Sequence, residues 1–224
     1  MTTDWGFPLM GYTGPIPENP HLGAFGARRK HHCHEGVDLY APVGAEVLAV
    51  EEGLVRAILP FTGPGAGSPW WHDTQCVLVE GSSGVVNYGE LAPASGLVVG
   101  SELSRGALIG RVVQVLVKDK GLPMSMLHLE LYLAGVTEPL EWLPDDLQPP
   151  TLCDPTLFLK QALTMADPKL WLPRGYQPNP SVPIIPLPEL KPSRTAVVKP
   201  NFFGTVPVNT RVFTIPKSPV KGNT

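Results

Sequence analysis

Residues 34–59, HEGVDLYAPVGAEVLAVEEGLVRAIL, combine two candidate metal ligands with two short apolar runs. The runs at 47–50 and 54–59 are rich in Val, Leu and Ile, and Gly53 lies between them. Short apolar runs bounded by Gly, Pro or Ser are typical of β-strands that are joined by tight turns. This stretch therefore predicts that a β domain begins close to the candidate ligands.

The same pattern continues to about residue 133. Further runs of β type occupy residues 76–80, 84–91, 107–116 and 127–133. Gly, Pro and Ser interrupt these runs, as is typical of turns between antiparallel strands. One helix is predicted from Pro155 to about residue 166, because Asp154 can cap it and proline is favoured at the first helical position. We therefore predict an all-β fold, a twisted antiparallel sheet that the helix closes.

Two separated motifs supply three candidate metal ligands. His34 and Asp38 lie four residues apart in the first motif, and His128 lies in the second, Met126-Leu127-His128-Leu129-Glu130. On a strand, His128 shares one face with Met126 and Glu130, and the leucines share the other face. Two imidazoles and one carboxylate suit zinc, and three protein ligands leave a fourth position for a water. For each residue alone, the alternative is a buried histidine satisfied by hydrogen bonds or an aspartate that caps a turn.

The order of the motifs resembles that of the lysostaphin-type zinc endopeptidases, which cut peptide bonds in bacterial peptidoglycan. The matching residues are Phe25-Gly26, Arg28, His34-x-Gly36-Val37-Asp38, Ala41-Pro42-Val43-Gly44, Val47, Ala49, Gly53-Leu54-Val55, Tyr88-x-x-Leu91, Val99-Gly100, Gly106-x-x-Ile109-Gly110, His128-x-Glu130 and Asp154-Pro155. The resemblance implies the family's all-β fold, known as the duplicated hybrid motif. It also implies that His34, Asp38 and His128 hold zinc.

Two positions depart from the family's pattern. The family has further catalytic histidines, which are not ligands, where this chain has Glu90 and Met126. We predict that Glu90 serves as the general base, because a carboxylate beside a zinc-bound water can accept its proton. Methionine cannot donate a hydrogen bond to a developing oxyanion. His72, in the loop at 68–73, and Tyr88, on the same strand face as Glu90 by simple alternation, are candidates for that donor.

Charge and proline content separate an acidic body from a basic tail. Residues 1–172 hold 10 Lys/Arg against 19 Asp/Glu, whereas residues 173–224 hold 7 against 1, together with 11 prolines. Extended segments with apolar anchors bind surfaces, so we predict that residues 173–224 dock on a protein partner or on a copy of this chain. A basic tail that only aids solubility is the alternative. The predicted organisation is an irregular lead-in at 1–24, a peptidase-like domain at 25–167 and a docking tail at 168–224.

Composition also disfavours several classes of protein. Three scattered cysteines, Cys33, Cys76 and Cys153, are too few for a disulfide framework and predict free thiols. The first thirty residues contain no secretory signal or membrane anchor, so we expect synthesis in the cytoplasm and no membrane partner. An acidic body and a tail without a Lys/Arg cluster disfavour nucleic-acid binding.

We therefore predict a zinc-dependent hydrolase that acts on peptidoglycan peptides. The alternative is a catalytically weak or inactive peptidase-like module in a phage tail or injection-type assembly. A metal-free carrier or transferase domain of similar β architecture is a third hypothesis. The first two are compatible, because a wall-cutting enzyme without a signal needs an assembly that delivers it to the cell wall.

Overall fold

The computed structural model describes residues 5–119, 121 and 123–165, which contain nine strands and one short α-helix. The predicted all-β, antiparallel fold is confirmed. The strands are β1 (Val37–Tyr40), β2 (Glu46–Leu48), β3 (Gly53–Thr62), β4 (Thr74–Gly81), β5 (Gly84–Pro93), β6 (Glu102–Leu103), β7 (Leu108–Val112), β8 (Met126–Tyr132) and β9 (Leu152–Cys153). A single 3₁₀ turn, Pro64–Ala66, follows β3, and helix α1 (Thr156–Thr164) follows β9. The predicted docking tail lies outside the described residues.

The order of strands places the two ligand motifs side by side. Six strands follow one another across the sheet in the order β1-β8-β5-β4-β3-β6, while β7 pairs with β2 and β5, and β9 pairs with β8. Strand β1 runs antiparallel to β8, so that Asp38 lies opposite His128. Pairing of these two strands therefore joins two motifs that are far apart in sequence.

Side-chain alternation on β8 separates an apolar face of the sheet from the face that carries the candidate ligands. Leu127, Leu129 and Leu131 belong to the larger apolar cluster, as predicted. Trp5, Phe7, Leu9 and Ile16 of the lead-in pack into the same cluster, although residues 5–24 form no strand or helix. Burial of this much apolar surface stabilises the sheet and anchors the start of the described chain on it. Where the domain begins and ends stays a prediction.

Several elements differ from the sequence prediction. The pattern did not indicate β1, β6 and β9, because runs of two to four residues are too short to show a period. Helix α1 begins at Thr156 with Pro155 as its N-cap, so the proline is not the first helical residue. Asp154 still contributes, since its Oδ1 accepts a hydrogen bond of 2.8 Å from the Thr156 amide. Leu159 and Ala162 bury one side of the helix in the larger cluster.

The three cysteines are free, as predicted, and Cys33 and Cys76 are buried. Within the described part of the chain, no helix has both the length and the apolar character that a membrane span requires.

Candidate metal centre

Three side-chain atoms converge on the ligand-bearing face of the sheet, and all three residues are buried. His34 Nε2 lies 3.0 Å from His128 Nδ1 and 3.1 Å from Asp38 Oδ1, and His128 Nδ1 lies 2.9 Å from Asp38 Oδ1. The structure thus brings together the three ligands predicted from the sequence. Their three donor atoms form a nearly equilateral triangle.

The other ring nitrogen of His34 is already occupied. His34 Nδ1 lies 2.9 Å from the backbone carbonyl of Ala24, and donation to that oxygen leaves Nε2 with its lone pair toward the triangle. Burial lowers the pKa of His34, which favours the neutral imidazole that a metal needs. The irregular segment before the first motif therefore orients the first ligand.

His128 has the opposite arrangement of its ring nitrogens. Its Nε2 lies 3.0 Å from Glu130 Oε1, which leaves Nδ1 for the triangle. Glu130 is buried and also accepts hydrogen bonds from Asn87 Nδ2 at 2.5 Å and from the Tyr132 hydroxyl at 2.8 Å. In many metal sites a fixed carboxylate orients a ligand histidine in this way.

Asp38 presents one oxygen to the triangle and the other to Arg29. The Arg29 guanidinium donates to Asp38 Oδ2 at 2.7 Å and to the carbonyl of Leu22 at 2.8 Å. Burial opposes ionisation of Asp38, but its electrostatic interaction with His34 and its hydrogen bonding with His128 outweigh that effect and hold the pKa of Asp38 well below its ordinary value. The carboxylate is therefore ionised and held in place.

The triangle fits zinc in both chemistry and size. Tetrahedral zinc with bonds of 2.0–2.1 Å separates its ligand atoms by about 3.3 Å, close to the observed edges. Each ligand's remaining polar atom has its own partner, so only the three converging atoms are left for an ion. Two imidazole nitrogens and one carboxylate oxygen also match the donor sets of zinc sites that keep a position for water.

An apolar wall covers one side of this triangle. The ring of Phe61 packs on the ring of His128, with 5.4 Å between their centroids. Gly89 is the cross-strand partner of His128, and a Cβ on Gly89 would lie only 2.6 Å from Phe61 Cε1. The absence of a side chain at Gly89 thus allows the ring of Phe61 to lie against His128.

Glu90 is set into the sheet by a bulge in β5. Two residues, Gly89 and Glu90, lie between the pairs Tyr88–Val77 and Leu91–Gln75, where the partner strand has only one residue. Glu90 has φ of 64°, and no other described residue except glycine has positive φ. Such a conformation costs about 1–3 kcal/mol and persists where surrounding structure imposes it, often at functional sites.

The carboxyl group of Glu90 is buried and incompletely satisfied. Its Oε2 is sealed from solvent and has no hydrogen-bond partner among the described residues. Burial and the negative charge of Asp38 raise the pKa of Glu90 to about 8, although His128 and Arg29 oppose the shift. Glu90 therefore lies within electrostatic range of two members of the triangle. A divalent cation in the triangle would favour its ionised form.

Solved structures with a similar fold include several peptidases. A protein described as an M23 peptidase from Pseudomonas aeruginosa matches with a TM-score of 0.42 and 18% identity over 70% of this chain and 50% of that one. The catalytic domain of the antimicrobial peptidase lysostaphin from Staphylococcus simulans gives a TM-score of 0.40 and 20% identity over 69% of this chain and 90% of that one. This chain resembles the M23 peptidases in fold.

A third similar structure is a variant of the catalytic domain of the prophage-encoded M23 protein EnpA from Enterococcus faecalis. It has a TM-score of 0.40 and 20% identity, and the match covers 60% of this chain and 97% of that one. This chain spans half the length of the Pseudomonas M23 protein. No protein-family model and no curated protein matches its sequence.

The placement of Tyr88 differs from the prediction made from simple strand alternation. Because the bulge interrupts alternation, Tyr88 points into the larger apolar cluster, where its hydroxyl accepts a 2.9 Å hydrogen bond from the Val50 amide. Tyr88 is thus a core residue, and its nomination as the missing donor was wrong. The physical reason is the extra residue between Tyr88 and Leu91, which no local sequence pattern reveals.

His72 is exposed, and the loop that carries it is fixed through its backbone. The His72 amide donates to the carbonyl of Val115 at 2.9 Å, and its carbonyl accepts from the Thr62 hydroxyl at 2.9 Å. None of the contacts described for the triangle involves this side chain. A catalytic role for His72 therefore stays a prediction.

The sequence analysis missed two residues that the fold brings to this face. Arg29, which holds Asp38, carries no local signal, because a basic residue in an irregular segment has no predictable partner. Tyr40 does carry one, since alternation along β1 places it on the face of Asp38. It lies opposite Met126, and the two residues belong to neither apolar cluster.

Proposed function

We propose that this chain is a zinc-dependent endopeptidase that cuts peptide bonds of peptidoglycan. The observation that carries the proposal is the triangle of His34 Nε2, Asp38 Oδ1 and His128 Nδ1, with edges of 2.9–3.1 Å. Every other polar atom of these three side chains has a protein partner, so the triangle is organised for an ion. The substrate class rests on the motif order, which resembles that of the lysostaphin-type endopeptidases.

Zinc bound by these residues would act as a Lewis acid toward a carbonyl oxygen and would lower the pKa of a coordinated water. Glu90 then serves as the base. Its carboxyl group would accept a proton from the attacking water and return it to the leaving amine. The bulge and positive φ of Glu90 support this role, because strained backbone conformations persist most often at functional sites.

The experiment that tests the proposal combines metal analysis with turnover. Zinc content is measured on the purified full chain, and release of soluble peptides and new amino groups is followed on purified peptidoglycan. His128→Ala is expected to lose zinc and activity together. Glu90→Gln is expected to keep zinc and to lose about 10²–10⁴-fold in rate, the usual contribution of a general base.

The matched control is Glu52→Gln, which makes the same change at an exposed glutamate. It should behave as the wild type in both measurements. Wild-type protein that holds stoichiometric zinc but releases nothing would contradict the proposal and favour an inactive, peptidase-like module. Full activity in Glu90→Gln would show that Glu90 is not the general base and would leave the metal assignment intact.

A further inference from the structure

Tyr40 and Met126 form a cross-strand pair beside the candidate metal centre. They face each other on β1 and β8, two positions along the strands from the pair Asp38–His128. Because side chains alternate along a strand, both lie on the same face as the ligands. The intervening pair, Leu39–Leu127, belongs to the larger apolar cluster on the opposite face.

The hydroxyl of Tyr40 lies close to Asp38. A Cβ built on Gly23 would be 3.1 Å from the Tyr40 hydroxyl oxygen and 3.1 Å from Asp38 Cβ, so these two atoms are separated by at most twice that distance. The edge-on contact between Tyr40 and the ring of His21 helps to fix the phenol, with ring centroids 5.8 Å apart. The side chain of Tyr40 is buried.

The Tyr40 hydroxyl has no hydrogen-bond partner among the described residues. The hydroxyls of Tyr12, Tyr88 and Tyr132 take part in described hydrogen bonds, whereas no hydrogen bond is described for that of Tyr40 within residues 5–119 and 123–165. A mostly buried tyrosine usually finds a partner for its O–H. A bound molecule at the metal centre is a chemically suitable partner.

We propose that the Tyr40 hydroxyl donates a hydrogen bond to the carbonyl oxygen of the scissile peptide and to the oxyanion that forms from it. This inference rests on the proposed function and adds a substrate-contacting residue to it. Met126 has only a thioether, which cannot donate. Tyr40, the cross-strand partner of Met126 on the ligand face, supplies a hydroxyl donor in its place.

The test is Tyr40→Phe in the full-length chain, with Tyr12→Phe as the matched control. Both variants remove one phenolic oxygen, and the Tyr12 hydroxyl donates to the carbonyl of Pro15 within the lead-in. Three quantities are measured: zinc content, turnover of peptidoglycan, and the affinity of the zinc-loaded protein for acetohydroxamate. Acetohydroxamate is a small probe whose oxygens bind zinc and accept nearby hydrogen bonds.

Tyr40→Phe should hold stoichiometric zinc, lose about 10²-fold in kcat with little change in KM, and bind acetohydroxamate about 5–10-fold more weakly. Tyr12→Phe should match the wild type in all three. Adding Met126→His to Tyr40→Phe should restore at least tenfold in kcat, because it provides a donor from the opposite strand. A purely structural role for Tyr40 predicts that Met126→His raises kcat no more in the Tyr40→Phe background than it does alone.

Unchanged kcat and unchanged acetohydroxamate affinity in Tyr40→Phe would overturn the inference, and so would loss of zinc in that variant. Failure of the proposed peptidase function can be distinguished from failure of the inference about Tyr40. If the wild type releases no peptides, acetohydroxamate affinity still decides whether Tyr40 donates to a zinc-bound oxygen, because that measurement needs no turnover. Zinc-loaded wild type that does not bind acetohydroxamate would contradict both proposals.

Discussion

Glu130 holds the ring of His128 through the nitrogen that faces away from the metal centre. The two residues lie two positions apart on β8, and the distance between His128 Nε2 and Glu130 Oε1 is 3.0 Å. Burial opposes ionisation of Glu130, but the hydrogen bond and charge of His128 outweigh it and lower the pKa of Glu130. Glu130 is thus an anion that fixes the tautomer and direction of a candidate ligand.

Replacing that anion should weaken metal binding without removing a ligand. We expect Glu130→Gln to bind zinc about 10–100-fold more weakly, as is typical when the partner of a ligand histidine is changed. Competition with a chromogenic chelator measures the affinity, and Glu52→Gln serves as the exposed control. Equal affinities in the wild type and Glu130→Gln would contradict the role assigned to Glu130.

Gly36 is enclosed by strand β8, so a methyl group there should distort the centre. A Cβ at Gly36 would lie 2.5 Å from the carbonyl oxygen of Leu129 and 2.9 Å from His128 Nε2. We expect Gly36→Ala to lower the free energy of unfolding by about 1–3 kcal/mol, as overpacking does, and to weaken zinc binding. Urea unfolding and chelator competition measure the two effects.

Gly65→Ala is the matched control for that substitution. A Cβ at Gly65 would meet only Asp73 Oδ1, at an ordinary 3.5 Å, so the variant should fold and bind zinc as the wild type does. If Gly36→Ala proved as stable and as tight in zinc binding as Gly65→Ala, β1 and β8 would have to lie farther apart than described.

The buried carboxyl of Glu90 should make the zinc-free protein less stable as the pH rises. Its pKa is about 8 in the folded chain, against an ordinary value of 4.5, so the folded state binds this proton more tightly than the unfolded state. The contribution of Glu90 is fully present below pH 4.5 and is lost as the pH rises through 8, at a slope of at most about 1.4 kcal/mol per pH unit.

Glu90→Gln has no such proton to lose. Between pH 5 and 8, in the presence of a chelator, its free energy of unfolding should fall less than that of the wild type. Urea unfolding at several pH values gives both slopes, and parallel curves would show that Glu90 is not protonated in the folded chain. Glu52→Gln should follow the wild type.

The proline-rich tail gives a prediction that rests on sequence alone. Extended basic segments with apolar anchors bind surfaces, so we expect residues 173–224 to mediate self-association or capture of a protein partner. Light scattering coupled to size exclusion compares the full chain with a variant that ends at residue 172. If the two proteins had the same number of protomers per particle and bound the same proteins, docking by the tail would be contradicted.

The sequence by itself determined the donor types, the β character and the division of β8 into two faces. These properties follow from local chemistry, because imidazole and carboxylate groups suit zinc and because side chains alternate every second residue on a strand. His128 and the three leucines of β8 therefore lie on the faces that alternation predicts. The helix boundary was approximate, since the ends of a short helix depend on its cap.

Only the tertiary structure decided how the centre is completed. The bulge that leaves Tyr88 in the core and Glu90 within electrostatic range of Asp38 and His128 depends on the register between β4 and β5. Arg29 meets Asp38, and Tyr40 lies opposite Met126, through contacts between segments that are separate in sequence or on different strands. The physical reason is that register and bulges are set by pairing between strands, whereas the alternation visible in a sequence is a property of one strand alone.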